Sequence, residues 1–203
     1  MTKDHPALFT ESAMILHLPS HARSALVIVD MQEFFFRKPE RRHRLEEVVA
    51  NINCLVSHFE VAQSPIVHVV TGYQSDGSDW DLKMKASGKP ELISGTAETA
   101  ILPQIKVADY HLILTKTRYS AFFKTNLAER LKEQGVAQVV VVGAYTHYCV
   151  NATVFDAYSH NFVPCLITDA VISHLEDESR LMIERMKRNG YHVLSTLEYL
   201  AGG

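Results

Sequence analysis

The sequence predicts an α/β fold: a three-layer α/β/α sandwich, Rossmann-like, built on a parallel sheet of six strands. Three observations predict it. Six short runs are continuously rich in Val, Ile and Leu, the pattern of strands covered on both faces. Longer stretches with apolar residues three and four apart separate most of these runs, which is the spacing of one helix face. The chain has 203 residues, 47% of them apolar, enough for the core of one domain and short for two.

In chain order, the strand runs are residues 25–30 (ALVIVD), 66–71 (IVHVVT), 111–115 (HLILT), 138–143 (QVVVVG), 164–169 (PCLITD) and 192–195 (HVLS). Between the first two, residues 40–59 place Leu45, Val48, Val49, Ile52, Leu55, Val56 and Phe59 on one helical stripe. Residues 124–134 carry Leu127 and Leu131 and stop at Gly135. Residues 149–159 and 177–189 are two further helices, the second ending at Gly190. Strand–helix alternation implies right-handed crossovers, which put ligands beyond the carboxyl ends of the strands. Residues 72–104, which hold the single tryptophan, Trp80, lack clear periodicity and are expected to form a lid or a wall of the site. The chain is expected to be one domain over residues 1–203, with residues 1–22 an extension packing on the core or on a partner subunit.

Composition excludes several classes. Net charge is −3 and no Lys/Arg cluster interleaves with aromatics, so nucleic acid is not an expected partner. No run of about 18 apolar residues suggests a membrane span. The first twenty residues do not read as a signal peptide, and three cysteines without a CxxC pair fit free thiols in a reducing cytoplasm.

Three residues at strand ends can do chemistry. Asp30 closes an apolar strand, where low-dielectric surroundings suit a carboxylate to proton transfer; the alternative is a turn or cap. Lys116 follows HLILT, where it can hold a carboxylate and lower a thiol's pKa; a solvated lysine is the alternative. Cys149 follows QVVVVG and the turn AYTH and opens a helical pattern, a strand–turn–helix elbow whose helix end favours thiolate. Its alternative is a small buried hydrophobe, the reading that suits Cys54 and Cys165. A carboxylate, a cation and a thiol at the same sheet edge are the parts of an activated nucleophile.

The strings ALVIVDMQ, KTRYSAFFKTNL and VVVVGAYTHYCVNATVFDAYSHNF resemble the signature blocks of the isochorismatase-like hydrolases, from about Ser24 to Leu200. The resemblance implies a six-stranded parallel sheet in 3-2-1-4-5-6 order and an Asp30–Lys116–Cys149 triad. It also implies a cis peptide between Ala144 and Tyr145, an oxyanion hole from the Tyr145 and Cys149 N–H groups, and association into a homodimer or homotetramer. Nicotinamidases of this superfamily carry an Asp-x-His metal motif after the second strand; here the region reads VVTGYQSDGSDWDLK, with no such histidine, so neither metal nor other cofactor is expected. The eleven histidines show no cluster in the sequence, and His147 reads as a solvent-facing turn residue.

Isochorismatases share the K-x-R-Y-S-A-F block and a tyrosine at the Tyr145 position but lack the cysteine. Cys149 therefore ranks hydrolysis of a small amide or ureide, through a thioester, above isochorismate-type vinyl-ether hydrolysis with Asp30 as general acid. A non-catalytic binding protein on the same fold ranks last, because nothing in a scaffold requires all three residues. Phe34 and Tyr145 are the expected substrate contacts, and Gln32 an internal support.

Overall fold

The protein is described by a computed structural model that covers residues 15–19 and 22–202. Six strands form one sheet: β1 (Arg23–Val29), β2 (Ile66–Thr71), β3 (Leu112–Lys116), β4 (Val136–Ala144), β5 (Val163–Ile172) and β6 (His192–Leu194). They lie in the order β3-β2-β1-β4-β5-β6, and every neighbouring pair is parallel. Fold class and strand order are those expected.

The helices are α1 (Leu45–Val61), α2 (Leu82–Ser87), α3 (Leu127–Glu133), α4 (Asn151–Ser159), α5 (Glu176–Arg188) and α6 (Thr196–Leu200). Because strand side chains alternate between faces, the sheet feeds two separate cores. Ala25, Val27, Val29, Val139 and Val141 face one core, where Leu127 and Leu131 of α3, Val154 of α4 and Met186 of α5 meet them. Leu26, Ile28, Val140, Val142 and Ile167 face the other, closed by Ile52, Leu55, Val56 and Phe59 of α1. That is the physical reason the strands read as continuous apolar runs: both faces are dry.

Four differences from the sequence reading have local causes. The helix expected from residue 40 begins at Leu45, because Arg44 is left-handed at φ 58° and only a 3-10 turn, Pro39–Arg41, precedes it. The helix expected from Cys149 is split: a π turn, Thr146–Val150, holds the cysteine, and α4 proper starts at Asn151. α6 was not foreseen, although Ser195 and Glu198 form a capping box, a signature readable as S-x-x-E. Residues 72–104 are more ordered than their irregular pattern suggests. They contain α2 and a 3-10 turn, Ala97–Thr99, and Tyr73, Met84 and Leu92 pack with Phe34 in a small apolar cluster.

Part of the amino-terminal extension lies on this chain's own core. Leu16 donates its N–H to Gly190 O at 3.0 Å, and the His192 ring nitrogen Nε2 meets Leu16 O at 2.7 Å. The rest of that expectation, residues 1–14 and 20–21, falls outside the described residues. Among the described residues, no helix is long and apolar enough to cross a membrane.

Candidate active site

Strand order reverses between β1 and β4, and a crevice opens there at the carboxyl edge of the sheet. Asp30 stands at that edge, one residue past β1, fully buried and at φ 52°. Its N–H still reaches Val69 O at 2.9 Å, so the chain turns while remaining tied to β2. Positive φ is uncommon outside glycine, and aspartate is among the residues that tolerate it. Gly143 makes the neighbouring approach possible: a Cβ there, at φ 109°, would lie 2.1 Å from Val29 O. Only glycine lets the end of β4 pass this close to the end of β1.

The three expected residues come together. Lys116, the last residue of β3, reaches past β2, and its Nζ lies 2.8 Å from Asp30 Oδ2 and 3.4 Å from Cys149 Sγ. Thr71, the last residue of β2, completes the contact: its hydroxyl accepts from Lys116 Nζ at 2.6 Å and donates to Asp30 Oδ1 at 2.8 Å. Gln32 is an internal clamp, as expected. Its Oε1 accepts from Thr71 N at 2.7 Å, and its Nε2 donates to Thr71 O and Thr99 O, each at 3.0 Å.

Burial would discharge Lys116, but the Asp30 carboxylate and the Cys149 sulfur outweigh it and hold the ammonium charge more firmly than in water. The Cys149 thiol is pushed up, first by burial and then by the Asp30 carboxylate; Lys116 opposes both and does not prevail. This corrects the expected thiolate. Cys149 sits inside the π turn instead of ahead of free helical N–H groups, and a carboxylate shares its pocket.

Cys149 and Lys116 open onto a cavity of about 580 Å³. Phe34 and Tyr145, the expected substrate contacts, line it together with Phe35, Tyr119 and Tyr148. Tyr119 and Tyr148 stack with centroids 5.4 Å apart, and Tyr145 donates its hydroxyl to Phe35 O. The Ala144–Tyr145 peptide is cis, as the resemblance implied. His147 is not a solvent-facing residue: its Nδ1 lies 2.7 Å from Ser173 Oγ, and its ring packs on Tyr148 with centroids 4.2 Å apart.

Sequence reasoning missed Thr71, Arg41, Tyr73 and His174, all of which line the cavity. Thr71 was discoverable by the logic that found Asp30, a polar residue closing an apolar strand. Arg41 and His174 carry no such signal, because neither ends a strand.

Residues 79–81 do not gather ligands. Asp79 Oδ1 accepts from Gln74 N at 2.8 Å, and Asp81 Oδ1 accepts from Met84 N at 2.8 Å as the cap of α2. Two histidines distant in sequence do meet: His111 places Nδ1 3.1 Å from His68 Nε2. Among the described residues, no three His, Cys, Asp or Glu side chains form a group able to hold a metal ion.

Known proteins carry the same pattern. The isochorismatase domain family matches residues 24–198. A probable isochorismatase of Pseudomonas chlororaphis is 31% identical over 183 residues, covering 87% of this chain and 84% of that protein. Enterobactin synthase component B of Escherichia coli (strain K12) is 27% identical over 179 residues, 88% of this chain; the match spans 62% of that longer protein. The fold is also that of a cysteine hydrolase from Pseudomonas syringae pv. phaseolicola 1448A, with a TM-score of 0.80, 20% identity, and coverage of 88% of this chain and 91% of that one. With the domain match spanning almost the whole sheet and its flanking helices, this chain belongs to the isochorismatase family of hydrolases.

Proposed function

We propose that the protein hydrolyses a C–N bond of a small amide or ureide, with Cys149 as nucleophile, Asp30 as the proton-transferring group and Lys116 as the cation that holds them together. One observation carries the reading: Lys116 Nζ stands 2.8 Å from the Asp30 carboxylate and 3.4 Å from the Cys149 sulfur beside the cavity. Asp30 takes the thiol proton as the sulfur attacks the carbonyl carbon. The N–H groups of Tyr145 and Cys149 receive the oxyanion of the tetrahedral intermediate. Asp30 returns the proton to the leaving nitrogen, the C–N bond breaks, and a thioester remains. Asp30 then draws a proton from water, the hydroxide adds to the thioester carbonyl, and the C–S bond breaks to give the carboxylic acid and the regenerated thiol.

A second reading has one observation in its favour: the P. chlororaphis relative carries the name probable isochorismatase. On it, Asp30 protonates a vinyl ether and Cys149 is a bystander. A single variant separates the two. Cys149→Ala abolishes ammonia release in a screen of small amides and ureides on the first reading, whereas hydrolysis of isochorismate by the wild type that survives in Cys149→Ala replaces it with the second.

A further inference from the structure

Most of the charged groups around the cavity are already engaged by the protein. Lys116 is neutralised by Asp30 at 2.8 Å. Glu91 is held by Arg37 at 3.3 Å. The Asp81 carboxylate caps α2 through Met84 N at 2.8 Å. Arg118 has no carboxylate partner among the described residues, but its fork is taken up by backbone oxygens, Asp79 O at 2.9 Å and Trp80 O at 3.4 Å. Arg41 remains. It lines the cavity half-buried, and among the described residues no carboxylate pairs with it. Lys83 at the rim is a second cation in the same position.

We propose that Arg41 receives a carboxylate of the substrate, so that the bond cleaved at Cys149 belongs to an anionic amide or ureide whose acid group lies at the far end of the molecule from the reacting carbonyl. The inference builds on the hydrolase reading above by naming the substrate's charge. Tyr145 lines the cavity together with Arg41 and Cys149. Its backbone adjoins the nucleophile turn, while its hydroxyl is donated to Phe35 O at the other end of the side chain. The Arg41 guanidinium bears on that hydroxyl end and on His174, whose imidazole is held neutral first by burial and then by the Arg41 charge. A short apolar spacer between a carbonyl at Cys149 and a carboxylate at Arg41 runs along Phe34, Phe35 and the Tyr119–Tyr148 stack. A guanidinium with no carboxylate partner among the described residues is matched in shape and charge by a substrate carboxylate, which it binds through two parallel N–H donors. A neutral amide would leave it without a counter-charge.

Calorimetric binding to Cys149→Ala tests this without turnover, using succinamate and its uncharged counterpart butanamide. Succinamate is expected to bind more tightly by about tenfold, and less so at high salt. Adding Arg41→Gln collapses that ratio towards one, Arg41→Lys keeps part of it, and Arg180→Gln, a cation on the exposed face of α5, leaves it intact. Succinamate binding no tighter than butanamide, including no measurable binding of either at millimolar concentration, overturns the proposal, as does a ratio indifferent to Arg41→Gln. Ammonia release by the wild-type protein is followed in parallel. Preference for the anion without release from any amide removes the C–N reading and keeps the charged subsite; release from butanamide through Cys149 with no preference does the reverse.

Discussion

Thr71→Val isolates the link that holds the three strand ends together. Thr71 is buried, at 6% exposure, and its hydroxyl both accepts from Lys116 at 2.6 Å and donates to Asp30 at 2.8 Å. Valine has nearly the same shape, so the substitution removes two hydrogen bonds and opens no cavity. Hydrogen bonds to charged groups contribute about 1.5–3 kcal/mol each. The direct Asp30–Lys116 contact at 2.8 Å survives and recovers part of that sum. The expected loss is about 2–4 kcal/mol, a fall of roughly 1–2 M in the urea midpoint for an m-value near 2 kcal/mol/M. Thr71→Ser keeps the hydroxyl and is expected to lose no more than about 1 kcal/mol for the missing methyl. Urea titrations of the three proteins at neutral pH decide the matter. A Thr71→Val midpoint within about 0.2 M of the parent, or a Thr71→Ser loss as large as the valine one, refutes the bridging role.

Other outcomes follow from the same geometry. Gly143→Ala forces a Cβ to within 2.1 Å of Val29 O, and the expected result is little or no folded protein by circular dichroism; a melting curve like the parent's contradicts the close approach. Lys116→Ala removes the one group that lowers the thiol's pKa, so the pH profile of Cys149 alkylation moves upward, and the unpaired buried carboxylate costs about 3–5 kcal/mol; an unmoved profile rejects the role given to Lys116. His68 is pushed down to about 4 by burial and by His111, from 6.5, so between those values the unfolded chain binds more protons. Stability is full above pH 6.5 and falls as pH drops towards 4, by about 2 kcal/mol between pH 7.5 and 5; a His68→Gln variant with an unchanged slope in urea midpoint against pH points to another group.

Most of the fold was legible because it rests on a repeated physical demand. A strand dry on both faces must be apolar throughout, and six such runs separated by helical stripes leave few arrangements. The boundaries were less legible where one backbone angle decided them, as at Arg44, whose left-handed φ of 58° delays α1. Of the candidate site, Asp30, Lys116 and Cys149 were legible because each is a reactive residue closing or following an apolar strand. Arg41 and His174 were not, because they reach the cavity from a 3-10 turn and from the loop after β5, whose placement depends on tertiary packing. The His68–His111 contact escaped for the same reason: the two residues meet only through the β2–β3 register, which sets His68 opposite Ile113.

The state of the thiol bears on how the proposed chemistry is timed. With the Asp30 carboxylate paired to the Lys116 ammonium and the Cys149 thiol neutral, the buried cluster carries no net charge. Ionising the thiol by losing its proton to water would leave a net negative charge in a dry pocket, which is why burial pushes its pKa up. Passing the proton to Asp30 avoids that cost, since charge moves within the cluster and none is added. On the proposed mechanism the sulfur then becomes reactive only when a carbonyl is in place to take its electrons as an oxyanion, hydrogen-bonded by the N–H groups of Tyr145 and Cys149. A permanently ionised cysteine would react with any electrophile entering the cavity. On this argument iodoacetamide should modify Cys149 slowly at neutral pH, and rapid alkylation of the resting enzyme would show that the thiol is already charged.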